Sequence, residues 1–220
     1  MGKLFSYKLT RDTGFAPCPF GGFISLGTCK PKIRQYKNID DWIAGFTSIE
    51  LDKKYRDNIR MIFLMKIERK VTFDEYWNSK EFSIKKPNKN SVNIIERVGD
   101  NYYKPVVKNP LSHRDYKQIP NLHHDSSNQK KDISGIYVLI SKEFYYFGQS
   151  PILIPYNIHP DVPKYQAGHG VETKDIIRRQ AFLDYMKSNY KIGIYDRPHS
   201  WEKMFSDNDT WRLDENYIES

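Results

Sequence analysis

Residues 10–34 read TRDTGFAPCPFGGFISLGTCKPKIR, a stretch that no ordinary helix or strand explains. It holds four glycines, three prolines and three phenylalanines, with nothing charged from Thr13 through Cys29. Gly21, Gly22 and Gly27 permit positive φ and close backbone approach, whereas Pro17, Pro19 and Pro31 fix φ and withhold donors. The chain is therefore predicted to turn repeatedly along a defined path, giving Phe15, Phe20 and Phe23 specific destinations. Lys30, Lys32 and Arg34 fall on alternate residues, which puts three cations on one side if this piece is extended. An uncharged aromatic turn feeding a basic strand edge suits a planar, anionic ligand. The bland alternative is a glycine-rich loop packed under a small sheet.

The run from Gly14 to Gly22 (GFAPCPFGG) is followed by CKPKIR at 29–34 and by Asp40-Asp41-Trp42-Ile43-Ala44-Gly45. FDEYW at 73–77, GDNYY at 99–103, LIS at 139–141, FYYFG at 144–148 and GHG at 168–170 continue the series in order. The set resembles the second of the nucleotide-modification-associated domain families of bacteria and phages. That resemblance implies association with DNA base-modification systems and implies no particular reaction. Two positions depart from the pattern. Cys18 stands where a polar Asn is expected, which would remove an amide from a pocket wall, and Asp40 replaces the Gly that would tighten the turn before Asp41-Trp42.

A chain of 220 residues can bury a substantial core, and one domain over 1–220 is expected. Its core is read at 1–103 and 135–190, with a long polar loop at 104–134 and a C-terminal extension at 191–220. Aromatics form 15% of the chain and Tyr alone supplies 16 residues, more than a core needs, which leaves ring faces for a pocket. The formal charge of +8 and a pI near 9.2 favour a nucleic acid or nucleotide partner, because neutralised phosphates release condensed counterions. Abundant Lys, Asn, Ile and Tyr beside four alanines fit an AT-rich genome, which accounts for part of that charge. Two cysteines, Cys18 and Cys29, are too few for a disulfide framework or a cysteine-based zinc site, so a reducing cytoplasm is the expected setting. With no signal-peptide core and no membrane-length apolar run, no membrane role is expected.

Alternation of Phe5, Tyr7 and Leu9 with Ser6 and Lys8 predicts a strand. Further strands are expected at 41–46, along 60–71, at 135–141 and at 143–148. Thr72 is positioned to cap a helix through Asp74 and Glu75. Residues 85–93 read as an exposed linker, and Pro105, Pro110 and Pro120 break any regular element in 104–134. Residues 173–190 read as a helix, with Ile176, Leu183, Met186 and Tyr190 as its stripe. Trp201, Phe205 and Trp211 are placed to pack the tail back on the body. Many short strands, few helices and long decorated loops predict an α+β fold on a small, strongly bent mixed sheet or barrel with a C-terminal helix. The order of elements is similar to PUA-like domains of the EVE and YTH kind, an analogy that does not itself assign function.

A base reader needs an aromatic wall, a few amide, carboxylate or backbone groups and nearby cations. Phe15, Trp42, Tyr76, Trp77 and Tyr102 are the candidate walls. Asp41, Asp100 and Asn101 are candidate edge readers, and Lys30 and Arg34 the phosphate contacts. Against each stands a plain alternative: core ring, turn cap or solvated face. An enzyme is the competing reading, resting on His113, His123, His124 with Asp125, His159 and His169 in the loop-rich second half. His169, between two glycines, is a candidate base or phosphate contact and His113 a weaker one. No metal-binding spacing, phosphate loop, dinucleotide glycine pattern, nucleophile elbow or deaminase signature is present, so no metal and no cofactor are expected. A third reading is a phage interaction protein that blocks a host defence enzyme or sequesters a nucleotide signal.

Overall fold

The structure, a computed structural model, describes residues 2–165 and 168–205. Strands β10 (Val171–Glu172), β1 (Leu4–Lys8), β3 (Trp42–Phe46), β4 (Met61–Lys66), β9 (Phe144–Tyr146) and β11 (Gly193–Ile194) pair in that order into a six-stranded mixed sheet. β1 runs parallel to β3, and β9 to β11, while the other pairs are antiparallel. A second, antiparallel sheet joins β2 (Ile24–Leu26), β8 (Tyr137–Ser141) and β5 (Arg69–Thr72). A ribbon of β6 (Tyr103–Pro105) and β7 (Tyr116–Gln118) lies apart from both. The large sheet is open, with β10 and β11 at its edges, so of the two expected forms it is the sheet and not the barrel.

The strand expected along 60–71 is two strands, one in each sheet. Ile67 and Glu68 turn the corner: Asp40 N donates to Ile67 O at 2.8 Å, Ile67 N to Asp41 O at 2.7 Å and Glu68 N to Ile140 O at 3.0 Å. β8 and β9 cross between the same two sheets around Lys142 and Glu143, where Lys66 N meets Glu143 O at 3.0 Å. Both crossovers are two residues long, and they supply the bend. Asp40 takes φ 70° at this corner, the left-handed conformation for which a Gly is the natural choice and which Asp tolerates.

Three apolar clusters follow from the layering. One packs Tyr7, Ile43, Phe63 and Tyr146 against Ile24, Leu26 and Leu139. Gly45 is required here, because a Cβ at this position would lie 2.1 Å from the ring of Phe63, its partner across β3 and β4. The opposite face of the large sheet buries Leu4, Trp42, Ala44 and Leu64 under Phe182, Leu183 and Met186 of the C-terminal helix Ile176–Asn189. Asp175 caps that helix by accepting from Arg178 N at 3.0 Å, so it starts later than predicted, and Ile176 is exposed where Phe182 takes its place. The third cluster gathers Phe15, Phe23, Phe73, Tyr76, Tyr102 and Tyr103 beside the small sheet.

Several loop readings change. Lys30, Lys32 and Arg34 do not line an extended edge: Pro31 opens a short helix, Pro31–Tyr36, and Arg34 is fully buried. Residues 104–134 hold the ribbon and a short helix, Gln129–Ile133, fixed by polar side chains that the apolar period cannot report. Gln129 Nε2, for instance, donates to His113 O at 2.6 Å and Tyr116 O at 2.7 Å. Lys85 is not linker but interior, its ammonium donating to Cys18 O at 2.7 Å and Phe23 O at 2.8 Å. Cys18 is buried against this ammonium, which removes it from any pocket wall. The Thr72 cap forms as expected, with Glu75 N on Thr72 Oγ1 at 3.2 Å and Thr72 N on Glu75 Oε2 at 2.7 Å. Trp201 packs back onto the body, stacking on Phe20 at 5.4 Å between centroids, with Phe205 against its edge. Trp211 lies outside the described residues.

Candidate functional site: a cysteine, histidine and aspartate beside a basic cavity

The Gly/Pro stretch delivers Cys29 and Lys30 into consecutive left-handed conformations, φ 54° and 39°, which cost a non-glycine residue about 1 to 2 kcal/mol each. Three ties hold the turn. Arg34 Nε donates to Cys29 O at 2.8 Å, Arg34 Nη1 to Tyr137 O at 2.7 Å, and Arg34 Nη2 makes a short bond to Asp132 O. A buried guanidinium thus clamps the cysteine turn to the turn that follows the Gln129–Ile133 helix. Cys29 N adds a bond to Asp132 Oδ1 at 2.8 Å. Gly135 leaves room for the clamp, since a Cβ there would lie 2.6 Å from Arg34 Cζ.

Asp132 is buried and receives Tyr103 OH at 2.9 Å, Tyr102 OH at 3.1 Å and His124 Nδ1 at 2.8 Å, all on Oδ2. An acceptor at that nitrogen assigns the proton to Nδ1 and leaves Nε2 to face Cys29 Sγ, 3.7 Å away. Burial alone would lower the His124 pKa, but its bonds to Asp132 and Cys29 outweigh that and raise it to about 9. Burial likewise acts to raise the Asp132 carboxyl, yet His124, Arg34 and the Cys29 N–H together hold it below the ordinary carboxylate range. The loop carrying His124 is shaped by Asn121, whose Oδ1 accepts from His123 N at 2.9 Å and His124 N at 2.8 Å.

These groups open on a cavity of about 500 Å³ at the carboxyl end of β1. Cys29, Lys30, Phe15, His123 and His124 line it, together with Tyr7, Lys8, Arg11, Glu50, Ser200 and Lys203. Phe15 is 3% exposed, stacked with Tyr102 at 5.3 Å and with His123 at 4.3 Å. The flat surface it helps to build is therefore presented by His123, which is half-buried. Desolvation, and next the neighbouring His124, push the His123 pKa down to about 4, so its ring is neutral at neutral pH. Lys30 Nζ lies 4.4 Å from the Tyr7 ring centroid.

Among the candidate base readers and phosphate contacts, Phe15 and Lys30 reach this cavity lining, with Tyr102 and Arg34 directly behind it, and among the candidate histidines His123 and His124 do. Asp100, Asn101 and Tyr76 form a separate buried network: Tyr76 OH donates to Asp100 Oδ1 at 2.7 Å, and Asn101 Nδ2 to Tyr76 O at 2.7 Å. Asp41 accepts from Lys3 N and Asn38 N at 2.8 and 2.9 Å, and Trp42 lies in the core beneath the C-terminal helix. Trp77 is half-buried with Lys86 over its ring at 4.2 Å. His169 is exposed with its Nε2 3.2 Å from Lys32 Nζ, and the His113 carbonyl is taken by Gln129. The loop histidines do not converge; His123 and His124 share the cavity, while His159 packs on Phe46.

Sequence reasoning did not single out Cys29, Asp132 or Tyr103. Cys29 sits inside the CKPKIR motif, but its partners lie about a hundred positions away, and no spacing rule joins them. The donor atoms of Cys29, His124 and Asp132 fall within 4.8 Å of one another, and such donor types suit zinc. The carboxylate and thiol nevertheless address different ring nitrogens, and both Asp132 oxygens are engaged by Cys29 N, Tyr102, Tyr103 and His124. The arrangement fits a nucleophile, base and orienting acid better than a closed metal site. Among the described residues no helix is long and apolar enough to cross a membrane.

No curated protein and no solved structure matches the chain. A family model does: with residues 1–205 matched, including every segment that builds the cavity, the chain belongs to the family of the nucleotide modification associated domain 2.

Proposed function

We propose that the chain holds a nucleotide unit, free or within a nucleic acid, in the cavity at the end of β1, in the service of nucleotide modification. The cavity itself carries this reading. Its volume of about 500 Å³ lies in the range of small-ligand sites. Lys8, Arg11, Lys30 and Lys203 share the lining with a single carboxylate, Glu50, and His124 with its raised pKa adds to the positive charge, a balance suited to phosphate. The neutral ring of His123, backed by Phe15, offers a base a stacking surface of a kind worth about 1 to 3 kcal/mol. A flipped or modified base, as in the PUA-like analogy, is the form of ligand this shape suits, and the free thiols Cys18 and Cys29 suit a reducing compartment.

Native mass spectrometry of the freshly purified chain, followed by titration with mononucleotides and with DNA and RNA oligomers at several salt concentrations, tests the proposal. A polymer partner is expected to lose affinity with a log-log slope of about −0.9 per duplex phosphate contacted, whereas a stacked mononucleotide is much less sensitive. Lys30→Ala and Lys203→Ala weaken either ligand. Absence of binding to all of them at low salt removes the reading.

A further inference from the structure

From the geometry of Cys29, His124 and Asp132 we infer that this site performs acyl transfer, with Cys29 as the nucleophile, His124 as the proton carrier and Asp132 as the positioning residue. The sulfur lies 3.7 Å from Nε2, and the other ring nitrogen is fixed by Asp132 at 2.8 Å. This is the order of contacts in which a histidine moves a proton between a nucleophile and a leaving group. Catalytic contacts of this sort run long when no substrate is bound, so a 3.7 Å approach is in keeping with the role. Cys29 lines the cavity while Cys18, the other thiol, is buried elsewhere. The left-handed backbone at Cys29, clamped by Arg34, is the kind of local strain that collects at reacting groups.

The step balances without an external oxidant or reductant. Cys29 Sγ, as thiolate, attacks the carbonyl carbon of an ester or amide, and the S–C bond forms as the C–O or C–N bond breaks. His124 gives its Nε2 proton to the departing alcohol or amine. Water then attacks the thioester and passes a proton to His124, so that a carboxylic acid leaves and the thiolate returns; an amine or hydroxyl acceptor replaces water in a transfer reaction. The substrate class, an acyl group carried on a nucleotide or base, rests on the binding reading above. The thiol chemistry does not.

The test uses the full chain and p-nitrophenyl acetate, read by release of p-nitrophenol and by intact-mass and peptide mapping. One acetyl group is expected, on Cys29 and not on Cys18. His124→Gln is expected to slow acylation on the order of 100-fold and to remove its limb from the pH profile, and Asp132→Asn to produce an intermediate loss. Cys29→Ser abolishes the adduct. Near-UV circular dichroism of each variant confirms the fold, and iodoacetamide alkylation of Cys29 in any variant that melts early is compared below its transition. Three results overturn the inference: acylation of Cys29 no faster than that of glutathione, a rate indifferent to His124→Gln, or a stoichiometric zinc ion whose chelation is needed to expose the thiol. Acylation of a chain that binds no nucleotide or oligomer at low salt removes the nucleotide reading and leaves the thiol chemistry standing. Nucleotide binding without acylation does the reverse.

Discussion

Two buried carboxylates, Asp100 and Asp132, are built from the same parts and end in different places. Each is 1% exposed. Each takes a tyrosine hydroxyl and the backbone N–H of a residue from the Gly/Pro stretch: Tyr76 at 2.7 Å and Gly27 N at 2.8 Å for Asp100, Tyr103 at 2.9 Å and Cys29 N at 2.8 Å for Asp132. Each has a buried cation nearby that clamps backbone carbonyls, Lys85 in the first case and Arg34 in the second. Their remaining partners differ. Asp100 receives Ser25 Oγ at 2.9 Å and closes its network, whereas Asp132 receives a second tyrosine, Tyr102 OH at 3.1 Å, and His124, which continues to Cys29 and the cavity. Burial raises the Asp100 carboxyl despite Lys85 and its hydrogen bonds, while the charged imidazole tips the balance the other way at Asp132. One side chain thus separates a structural knot from a group with chemistry.

The largest effect that bears on this contrast is removal of the cations. Lys85→Met and Arg34→Met each leave buried acceptors and a carboxylate without their positive partner, at a cost of about 3 to 5 kcal/mol in urea denaturation. Arg34→Met also depresses the alkylation rate of Cys29 and Lys85→Met does not; equal effects on the thiol would merge the two centres into one. Next comes Gly135→Ala, which pushes a methyl to 2.6 Å from the guanidinium and is expected to cost about 1 to 3 kcal/mol. A crystal structure of that variant should show Arg34 and the Cys29 turn displaced, with the Asp100 network unchanged.

A smaller effect is expected from pH. The His124 pKa is higher in the folded chain, about 9 against 6.5, so its contribution is fully present below 6.5 and disappears as pH rises through about 9. Stability measured from pH 6 to 10 should fall across that window in the parent and fall less in His124→Gln. The smallest effects belong to the hydroxyls. Tyr76→Phe and Tyr103→Phe each remove one bond to a carboxylate, at about 1 kcal/mol. Thermal melts should show the two as near equals, and only Tyr103→Phe should alter the reactivity of Cys29.

Local signals carried the fold further than they carried the site. β1 was legible from the alternation of Phe5 and Tyr7, the Thr72 cap from its spacing to Glu75, and the C-terminal helix from its apolar stripe. The corner at Ile67-Glu68 was not, because apolar residues run through it without a break and the turn is made by hydrogen bonds to Asp40, Asp41 and Ile140. Composition misread Lys85 and Arg34 as surface, since nothing local announces that a cation will be consumed by carbonyls from distant turns. The cavity was half legible: Phe15 and Lys30 stood out in the Gly/Pro stretch and His123 and His124 among the loop histidines, but nothing in that loop's sequence joined His124 to Cys29 and Asp132.

One wall of the cavity has its own anchorage. Ser200 and Lys203 belong to a tail held by Asp12, whose carboxylate accepts from Tyr146 OH at 2.5 Å and His199 N at 2.9 Å, and by Trp201 Nε1, which donates to Thr13 O at 2.8 Å. None of these bonds touches Cys29, His124 or Asp132. Enclosure and reactivity are therefore separable properties of the molecule: shortening the chain before His199 would leave the three reacting groups assembled in a trough with one side missing, a receptacle that still bites but no longer grips.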